Sequence, residues 1–349
     1  MCAKEIRIVC DGLPVCVDIT EKPFDLAGQL MLGVQYDTAS VTVEQIVARL
    51  HGLRLAFHVI RHVCETLLPP SPGLADVCDA VSACRLPDCP AHHSFRVTSR
   101  RSGEHSFTSL DVEREAGSVV QKNTAMSVDL EQFTRHIRVD LIENRLLVGI
   151  QTTRRGLDKR FSWVFKPRVS LKTVVAQALL QLACDGRSDV GHILDPFCGS
   201  GTILLEAAAT FPDAEITGFD VFEQVASGAA ANVAHAGLND RIAVRQADAR
   251  ELRKQLPAAS VDIIVTNPPF GVRLGARTDF KRLYHQFLSG AAHVLKPGGR
   301  LVFLGGRRRH HVVHILKEVR SLSLKHVRVI ETGGIYPAIY VMTRLPNRE

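Results

Sequence analysis

The sequence lacks long apolar runs. No part of its 349 residues approaches the eighteen consecutive apolar residues of a transmembrane helix. Its start, "MCAKEIRIVCDG", contains an acidic residue and no apolar segment of the kind found in signal peptides. We therefore predict a cytoplasmic protein with no membrane span. A hydrophobic content of 46% also excludes a disordered chain, because it suffices to build a packed core.

Cysteine pairs with the spacing of a metal site are also missing. The nine cysteines include no C-x-x-C pair. The cluster that comes nearest to a metal site consists of Cys78, Cys84, Cys89, His92 and His93. Its spacing is not that of zinc sites, and we predict no metal ion. Other cysteines lie inside apolar runs, where a reduced thiol acts as a small hydrophobic side chain: Cys10, Cys16, Cys64 and Cys184.

Positive charge is concentrated in the later part of the chain. The net charge is +7. Residues 1–90 contain seven Lys/Arg against eleven Asp/Glu, a balance of −4, which leaves +11 on residues 91–349. A polyanionic partner such as a nucleic acid would therefore contact the later part of the chain.

Two α+β modules are predicted before residue 154. Residues 1–92 contain the strand-like runs "IRIVC", "PVCVDI" and "LAFHVIRHV", with helices indicated at 43–50 and 74–84. Residues 93–153 show a sharper pattern: a strand "SFRVTSR", a helix from Ser109 to about Lys122, and a hairpin of "HIRVDLI" and "RLLVGIQ".

A basic linker separates these modules from the last domain. Residues 154–172 contain seven basic residues and one acid, interleaved with Phe161, Trp163 and Phe165. The aromatic side chains could dock on a neighbouring domain, or the segment could contact nucleic acid. Residues 173–349 then alternate helix and strand, which predicts an α/β fold with a doubly wound, mostly parallel sheet and ligands at the carboxyl ends of its strands.

A glycine-rich turn follows the first strand of this sheet. In "ILDPFCGSGTILLEAA", residues 193–208, the strand ends at Asp195, and Gly199 and Gly201 let the backbone approach a ligand before the next helix. A dinucleotide-binding turn would have a third glycine near Leu204, and a phosphate-binding loop would have lysine at Thr202. Because both are absent, the turn indicates a different small-molecule cofactor.

The next two strands also end in acids. Asp220 lies nineteen residues after Gly201, where a carboxylate can accept both hydroxyls of a ribose, and Asp248 ends the third strand. With these acids, residues 171–345 resemble a Rossmann-like class I S-adenosylmethionine-dependent methyltransferase with a seven-stranded sheet. The resemblance implies that Asp195 and the glycine backbone hold the methionine part of S-adenosylmethionine, Asp220 the ribose, and Asp248 the adenine. The implied cofactor residues are Asp195, Phe197, Gly199, Gly201, Thr202, Asp220, Val221, Asp248, Ala249 and Asn267.

The fourth strand, "VDIIV", ends in "NPPF", residues 267–270. This motif resembles the site of methyltransferases that act on exocyclic or planar amide nitrogens. The Asn267 side-chain carbonyl and the Pro268 main-chain carbonyl would accept hydrogen bonds from the target amino group, and Phe270 would stack on the base. The motif fits guanine N2 and adenine N6 alike.

The second α+β module resembles a THUMP domain, an RNA-binding module of tRNA-modifying enzymes. The resemblance lies in "FRVTSRRSGEHSFTSLDVEREAG" and "VDLIENRLLVGI". With the junction "TTRRGLDKRF" and the tail "GGIYPAIYVMTR", the chain resembles the THUMP-containing guanosine-N2 methyltransferases. The resemblance implies that residues 1–92 are the ferredoxin-like companion of the THUMP domain and that tRNA is the substrate. The predicted RNA contacts are Arg96, Arg100, Arg101, Arg154, Arg155, Lys159, Arg160 and Lys166.

The predicted function is S-adenosylmethionine-dependent formation of N2-methylguanosine in the acceptor stem or nearby core of tRNA. A target base inside a duplex would have to be flipped into the pocket. Two alternatives remain open: N2-guanine or N6-adenine methylation of another RNA, ribosomal or small nuclear, and a non-catalytic RNA-binding subunit that retains the fold. We expect a monomer, unless a small activating subunit is required.

Overall fold

The computed structural model describes residues 1–23, 28–167, 170–187, 189–269, 279–306, 309–331 and 336–346. The chain divides into two compact units, Cys2–Leu157 and Asp158–Glu349. Within the described ranges, no helix is long and apolar enough to cross a membrane.

The first unit begins with two helices and a β-hairpin. Its elements are α1 (Cys2–Cys10), β1 (Val15–Glu21), β2 (Leu30–Tyr36), α2 (Val43–Leu50), β3 (Ile60–Leu67), α3 (Leu74–Ala83), β4 (Ser94–Thr98), β5 (Arg101–Ser102), α4 (Ser109–Thr124), β6 (Ser127–Val128), β7 (Arg135–Ile142) and β8 (Arg145–Gln151). Strands β1 and β2 pair in antiparallel fashion. Helix α2 begins with a capping box, in which Thr42 Oγ1 accepts a hydrogen bond from Gln45 N–H at 3.3 Å and Gln45 Oε1 accepts one from Thr42 N–H at 2.8 Å.

The prediction of a strand at "IRIVC" is wrong, because these residues lie in helix α1. Ile6 and Cys10 are four residues apart and are buried on one face of the helix. Glu5 fixes the helix further, since its carboxylate accepts hydrogen bonds from the main-chain N–H groups of Arg54 and Leu55, both at 2.9 Å. A run of five residues is too short to distinguish the period of a strand from that of a helix. The burial of Ile6 and Cys10 on one face favours the helix.

The rest of this unit is a sheet covered by α3 and α4. Among the described residues the strand order is β3-β8-β7-β4-β6, with β5 paired to β7. Val77 of α3 and Val112 of α4 pack against Phe95 and Val139 of the sheet in one core. Strand β3 and helix α3 are therefore part of the same sheet and core as β4–β8. The predicted boundary at residue 92 falls within this structure.

Two cysteines of this unit are paired as a disulfide, Cys64 of β3 with Cys84 at the end of α3. The prediction that Cys64 is a reduced thiol is therefore wrong. Both side chains pack at the edge of the same core, which brings together residues that are 20 apart in the sequence.

The second unit alternates helices and strands. Its elements are α5 (Thr173–Cys184), β9 (His192–Asp195), α6 (Thr202–Thr210), β10 (Glu215–Asp220), α7 (Glu223–His235), β11 (Ile242–Gln246), a short 3-10 helix (Ala249–Glu251), α8 (Leu252–Gln255), β12 (Val261–Thr266), α9 (Phe280–Val294), β13 (Leu295–Gly305), α10 (Arg309–Glu318), β14 (Leu322–Val329) and β15 (Ala338–Arg344). In the described part of the chain these strands form a seven-stranded sheet in the order β11-β10-β9-β12-β13-β15-β14.

This sheet confirms the predicted α/β fold class. Strands β9 to β13 pair in parallel, whereas β15 is antiparallel to both β13 and β14. Apolar residues cover both faces, with Ile193 and Ile263 in one core cluster and Leu194 and Ile264 in the other. From β9 the strand order runs to one side through β10 and β11, and to the other side through β12 and β13. Open parallel sheets bind ligands at the point where the strand order changes direction, which here lies between β9 and β12.

Candidate active site

The loop after β9 forms one wall of the site. Its chain turns through Gly199 and Gly201, whose φ angles of +55° and +83° are in the left-handed region that favours glycine. Gly201 N–H donates to the Cys198 carbonyl at 2.8 Å, and Cys198 N–H donates to the Phe219 carbonyl at 2.8 Å. A Cβ atom on Gly199 would meet no atom within 4 Å, so the main chain there borders open space.

Asp195, at the carboxyl end of β9, is almost fully buried. Its Oδ1 accepts hydrogen bonds from Thr266 Oγ1 at 2.6 Å and from Phe197 N–H at 3.2 Å. Burial raises the pKa of this carboxyl group from 3.8 to about 7, although the hydrogen bonds oppose the shift. Among the described residues, Oδ2 has no hydrogen-bond partner. The charged form of Asp195 therefore needs a further donor.

Asp220, at the carboxyl end of β10, is tied to the same loop. Its Oδ2 accepts a hydrogen bond from Gly199 N–H at 3.2 Å, and its Oδ1 accepts one from Phe222 N–H at 3.1 Å. Burial raises the pKa of this group as well. Val221 and Phe222, next to Asp220, are 46% and 58% exposed. Sequence reasoning included Val221 but missed Phe222, and these exposed apolar side chains can cover a planar ring.

Asp248 differs from Asp195 and Asp220 because its carboxylate already forms an ion pair with Arg250. Its Oδ2 accepts a hydrogen bond from Arg250 Nε at 2.8 Å, and its Oδ1 accepts one from the Arg250 main-chain N–H at 2.9 Å. The Arg250 side chain holds the pKa of Asp248 below its usual range. Ala249 beside it is buried. The adenine contact predicted for Asp248 would thus share a carboxylate that Arg250 keeps ionised.

The "NPPF" motif begins where β12 ends. Asn267 is half-buried and Pro268 is buried. The Asn267 Oδ1 atom is inaccessible to solvent and accepts no hydrogen bond from the residues that the structure describes. The Pro269 carbonyl accepts a hydrogen bond from Tyr284 Oη of α9 at 3.4 Å. Phe270, the predicted stacking residue, lies outside the described residues.

The predicted cofactor and substrate residues that the structure describes thus lie at one edge of the sheet. Asp195 and Thr266 are hydrogen-bonded across the neighbouring strands β9 and β12. Gly199 links the loop to Asp220. Phe197, another predicted cofactor residue, packs its ring edge-on against Phe287 with the centroids 5.2 Å apart. Thr202 begins α6, and its hydroxyl lies 3.1 Å from that of Ser200.

The predicted basic linker packs onto the second unit. Phe161 and Trp163 pack against its core, and a Cβ atom on Gly228 would lie 2.4 Å from the Phe165 ring. Of the two interpretations, docking of the aromatic side chains is therefore the one observed. Arg160 Nε bonds to Glu206 Oε1 at 2.7 Å, and the Glu206 side chain is 0% exposed. This buried ion pair argues against the predicted phosphate contact of Arg160.

Asn232 of α7 joins the docked segment, residues 158–167, to the cofactor loop, residues 196–201. Its Oδ1 accepts hydrogen bonds from the main-chain N–H groups of Val164 and Phe165 at 3.0 and 2.9 Å. Its Nδ2 donates to the carbonyls of Phe165 and Ser200 at 2.7 and 2.9 Å. The fully buried amide thus satisfies all its hydrogen-bonding capacity at the two segments. Sequence reasoning missed Asn232, since a lone asparagine within a helix gives no signal of such a role.

The other predicted RNA contacts differ in solvent exposure and in the hydrogen bonds that their side chains form within the protein. Arg100, Arg155, Lys159 and Lys166 are exposed. Three more are engaged within the first unit: Arg96 Nη1 donates to the Leu130 carbonyl at 3.1 Å, Arg101 Nη1 donates to the Gly103 carbonyl at 3.1 Å, and Arg154 Nη2 donates to Gln132 Oε1 at 3.1 Å. The guanidinium of Arg154 also lies 5.8 Å from the centre of the Phe133 ring.

Comparison with protein families gives two matches. The family model described as "RMKL-like, methyltransferase domain" matches residues 162–336, and the THUMP domain model matches residues 74–151. The THUMP match begins at α3, consistent with the sheet and core described above, rather than at residue 93.

Curated relatives carry the names of guanine-N2 methyltransferases. The tRNA (guanine(6)-N2)-methyltransferase of Thermus thermophilus is 40% identical over 297 residues, which cover 84% of this chain and 85% of the relative. The enzyme of the same name from Archaeoglobus fulgidus is 32% identical, over 71% of this chain and 69% of the relative. The human U6 snRNA (guanine-N(2))-methyltransferase THUMPD2 is 33% identical, over 64% of this chain and 43% of the relative.

Solved structures with a similar fold extend over nearly the whole chain. The crystal structure of TrmN from Thermus thermophilus has a TM-score of 0.74 and 35% identity, and the match covers 98% of this chain and 95% of that one. The structure of SMU.472 complexed with SAH has a TM-score of 0.72 and 16% identity, with 99% and 96% coverage. The second likeness bears on the fold alone.

Proposed function

The chain belongs to the family of THUMP-containing tRNA guanine-N2 methyltransferases, and we propose that it methylates N2 of guanosine 6 in tRNA. The relative named for this reaction at 40% identity supports the choice of base and position. Within the chain, the observation that carries the proposal is the buried Oδ1 atom of Asn267, which lacks a partner among the described residues. A buried acceptor in this state calls for a donor, and an exocyclic amino group is such a donor.

The residues around the glycine-rich loop fit S-adenosylmethionine as the methyl donor. Asp195 and Asp220 are partly or fully withdrawn from water, and no described Lys or Arg forms an ion pair with either. A ligand with positive charge and hydroxyl groups would satisfy them. Asp195 and the loop main chain would hold the methionine part and Asp220 the ribose. The exposed apolar side chain of Val221 would contact the adenine ring.

The substrate side of the site orients the attacking nitrogen. When bound, S-adenosylmethionine supplies an electrophilic methyl group that passes to the nitrogen as the sulfonium becomes a neutral thioether. The Asn267 Oδ1 and the Pro268 carbonyl accept the two hydrogens of the guanine amino group, which turns the nitrogen lone pair out of conjugation with the ring. Because alkylation makes the nitrogen acidic, its extra proton passes to solvent water, and the chain needs no strong general base to remove it.

Binding of tRNA is assigned to exposed basic residues. Arg100 and Arg155 in the first unit, and Lys159 and Lys166 in the second, are exposed and available for backbone phosphates. Contacts with phosphates position the RNA without reading its sequence. Because position 6 lies in the acceptor stem, the target guanine must leave the stack before its amino group reaches Asn267.

The proposal is tested by incubating the purified chain with methyl-labelled S-adenosylmethionine and total tRNA. Digestion to nucleosides identifies the product, and mapping of the labelled fragment identifies the position. Label in N2-methylguanosine at position 6 supports the proposal. Label in N6-methyladenosine, or cofactor binding without any transfer, contradicts it.

Two additional samples resolve the choice of RNA and the need for a partner. A U6 snRNA transcript is included because the human relative that is 33% identical is named for that RNA. Preferential transfer to this transcript would contradict tRNA as the substrate. The need for a small activating subunit is tested with the purified chain alone and with added cell extract. Transfer by the purified chain alone indicates that no activating subunit is required, whereas transfer that appears only after cell extract is added indicates a required partner.

A further inference from the structure

Helix α9 contacts the substrate loop, which is residues 267–269 of the "NPPF" motif, through a tyrosine hydroxyl. Tyr284 Oη donates a hydrogen bond to the Pro269 carbonyl at 3.4 Å. The side chain is buried, with 7% of the residue exposed. Burial raises the pKa of this hydroxyl above its usual value, so it stays protonated and donates at every physiological pH.

The Tyr284 ring has little freedom to move. Its centroid lies 6.0 Å from that of Phe303 in β13, and Phe303 in turn stacks on Tyr340 of β15 at 5.0 Å. All three rings are buried in the same core cluster. The donor on the Pro269 carbonyl is thus anchored to the centre of the sheet rather than to a surface loop.

The substrate loop depends on an external donor because of its composition. Pro268 and Pro269 have no main-chain N–H, so these two residues can be held only through their carbonyl groups or their rings. Among the described residues, the hydrogen bond from Tyr284 is the one that reaches the Pro268–Pro269 pair. Loss of this bond would leave the pair without any polar restraint from the described part of the chain.

The same helix contacts the cofactor loop one turn later. Phe287 follows Tyr284 by three residues and packs edge-on against Phe197, with ring centroids 5.2 Å apart. Residues three apart lie on the same face of a helix. One face of α9 therefore contacts both loops that the proposed reaction must bring together.

We propose that Tyr284 is a positioning residue for methyl transfer: its hydroxyl fixes the Pro269 carbonyl and thereby the orientation of Asn267 Oδ1 and the Pro268 carbonyl toward the base. This inference rests on the proposed function. It assigns Tyr284 no direct contact with substrate or cofactor. A displacement of about 1 Å in a reacting group can lower a rate by about 100-fold.

The test is the variant Tyr284→Phe, which keeps the ring and removes the hydroxyl. We expect the single-turnover rate at saturating S-adenosylmethionine and tRNA to fall roughly 10- to 100-fold. The Kd of S-adenosylmethionine, measured by calorimetry, and the Kd of tRNA should stay within about twofold of wild type, because Tyr284 touches neither ligand. Tyr36→Phe, which removes a hydroxyl from the first unit, is the matched control and should leave the rate unchanged.

A second readout reports on the base itself. A tRNA with 2-aminopurine at position 6 changes its fluorescence when the base leaves the stack and enters a pocket. If Tyr284 positions the loop, Tyr284→Phe should alter the emission of the bound base without altering the Kd of the RNA. Phe287→Leu, one turn away, should instead weaken S-adenosylmethionine binding, because its ring contacts the cofactor loop.

Failure of this inference is distinguishable from failure of the proposed function. An unchanged single-turnover rate and unchanged emission in Tyr284→Phe would overturn the positioning role, whichever base is methylated. A parallel loss of thermal stability, cofactor affinity and rate would also overturn it, since it would show only a structural role. If wild type methylates a different base, the proposed function fails, and the comparison of rates is repeated on that base.

Discussion

Thr266 Oγ1 donates a hydrogen bond of 2.6 Å to Asp195 Oδ1, which joins the carboxyl ends of the neighbouring strands β12 and β9. Both side chains are buried, with 0% and 1% of the residues exposed. Asp195 is the acid proposed to hold the methionine part of the cofactor, and Thr266 immediately precedes Asn267. The bond therefore links the proposed cofactor and substrate residues at the sheet itself.

Replacing Asp195 with asparagine should weaken cofactor binding and stabilise the free protein. Asparagine retains an Oδ1 that can accept the bonds from Thr266 and Phe197, but it removes the buried charge. Because the folded pKa is raised to about 7, the carboxyl group stabilises the fold below its usual pKa, and this contribution is lost as the pH rises to 7. At pH 8, Asp195→Asn should raise the free energy of unfolding by on the order of 4 kcal/mol.

Denaturant unfolding of the ligand-free protein at pH 8 and pH 4 checks this prediction. At pH 4 wild-type Asp195 is largely protonated, so the difference between the two proteins should nearly vanish. Calorimetry should show that the Kd of S-adenosylmethionine rises at least about tenfold, as expected for loss of a charge-assisted contact. A variant that binds the cofactor normally would rule out the role proposed for Asp195.

The cofactor affinity of wild type should depend on pH. An acid with a raised pKa is charged only above that pKa, so Asp195 loses its charge as the pH falls through about 7. The raised pKa of Asp220 acts in the same direction, whereas the pKa of Asp248 is lowered by Arg250. The affinity for S-adenosylmethionine should therefore fall about tenfold between pH 8 and pH 6. Equilibrium binding across this range measures it, and an affinity that is flat with pH in wild type would contradict it.

The second unit could be predicted from sequence because its signals are local. The alternation of helices and strands expected over residues 173–349 is found from α5 to β15, because each of these elements carries its own local apolar pattern. The position of the acids at the strand ends could be predicted too, because all strands of a parallel sheet have their carboxyl ends at the same edge. In the first unit, "IRIVC" was too short for its period to be read.

The contacts that support the site could not be predicted, because they join residues far apart in the sequence. Thr266 and Asp195 are separated by 71 residues, and Asn232 and Phe165 by 67. Only the order of strands and the packing of helices bring such pairs together. The ion pair of Arg160 was missed for the same reason, since its partner Glu206 is 46 residues away and has the sequence character of a surface acid.

Replacing Asn267 with alanine should slow methyl transfer strongly and leave cofactor binding largely intact. The variant removes the buried Oδ1 acceptor, which has no partner among the described residues and therefore supports no internal contact there. Loss of one such acceptor should lower the rate about 100- to 1,000-fold. Single-turnover assays and calorimetry measure the two effects separately. If cofactor affinity falls as steeply as the rate, Asn267 holds the cofactor rather than the base.

Replacing Asn232 with aspartate should loosen the docked segment and the cofactor loop together. The new oxygen faces the carbonyls of Phe165 and Ser200, which now accept hydrogen bonds at 2.7 and 2.9 Å. Repulsion and loss of two donors should destabilise the fold by about 2–4 kcal/mol. The Kd of S-adenosylmethionine should rise, because Ser200 belongs to the cofactor loop.

Trp163, the single tryptophan of the chain, lies in the docked segment and reports on this change. In Asn232→Asp its emission should shift to longer wavelength as the indole becomes more exposed to water. Asn123→Asp, an exposed position on α4, is the matched control and should alter neither the emission nor the Kd. A red-shifted emission with normal cofactor affinity would show that the docked segment can loosen without affecting the cofactor loop. That result would contradict the proposed coupling of the two segments through Asn232.

The basic residues of the docked segment should divide into two functional groups. Arg160→Ala removes a cation that pairs with the buried carboxylate of Glu206, and removing one member of a buried ion pair typically costs about 3–5 kcal/mol. We expect this variant to lose stability in thermal denaturation. Lys159→Ala and Lys166→Ala remove exposed charges, so stability should not change. Each lysine variant should instead weaken tRNA binding and lower the slope of log Kd against log salt by about 1. A stable Arg160→Ala protein with weakened tRNA binding would restore Arg160 as a phosphate contact.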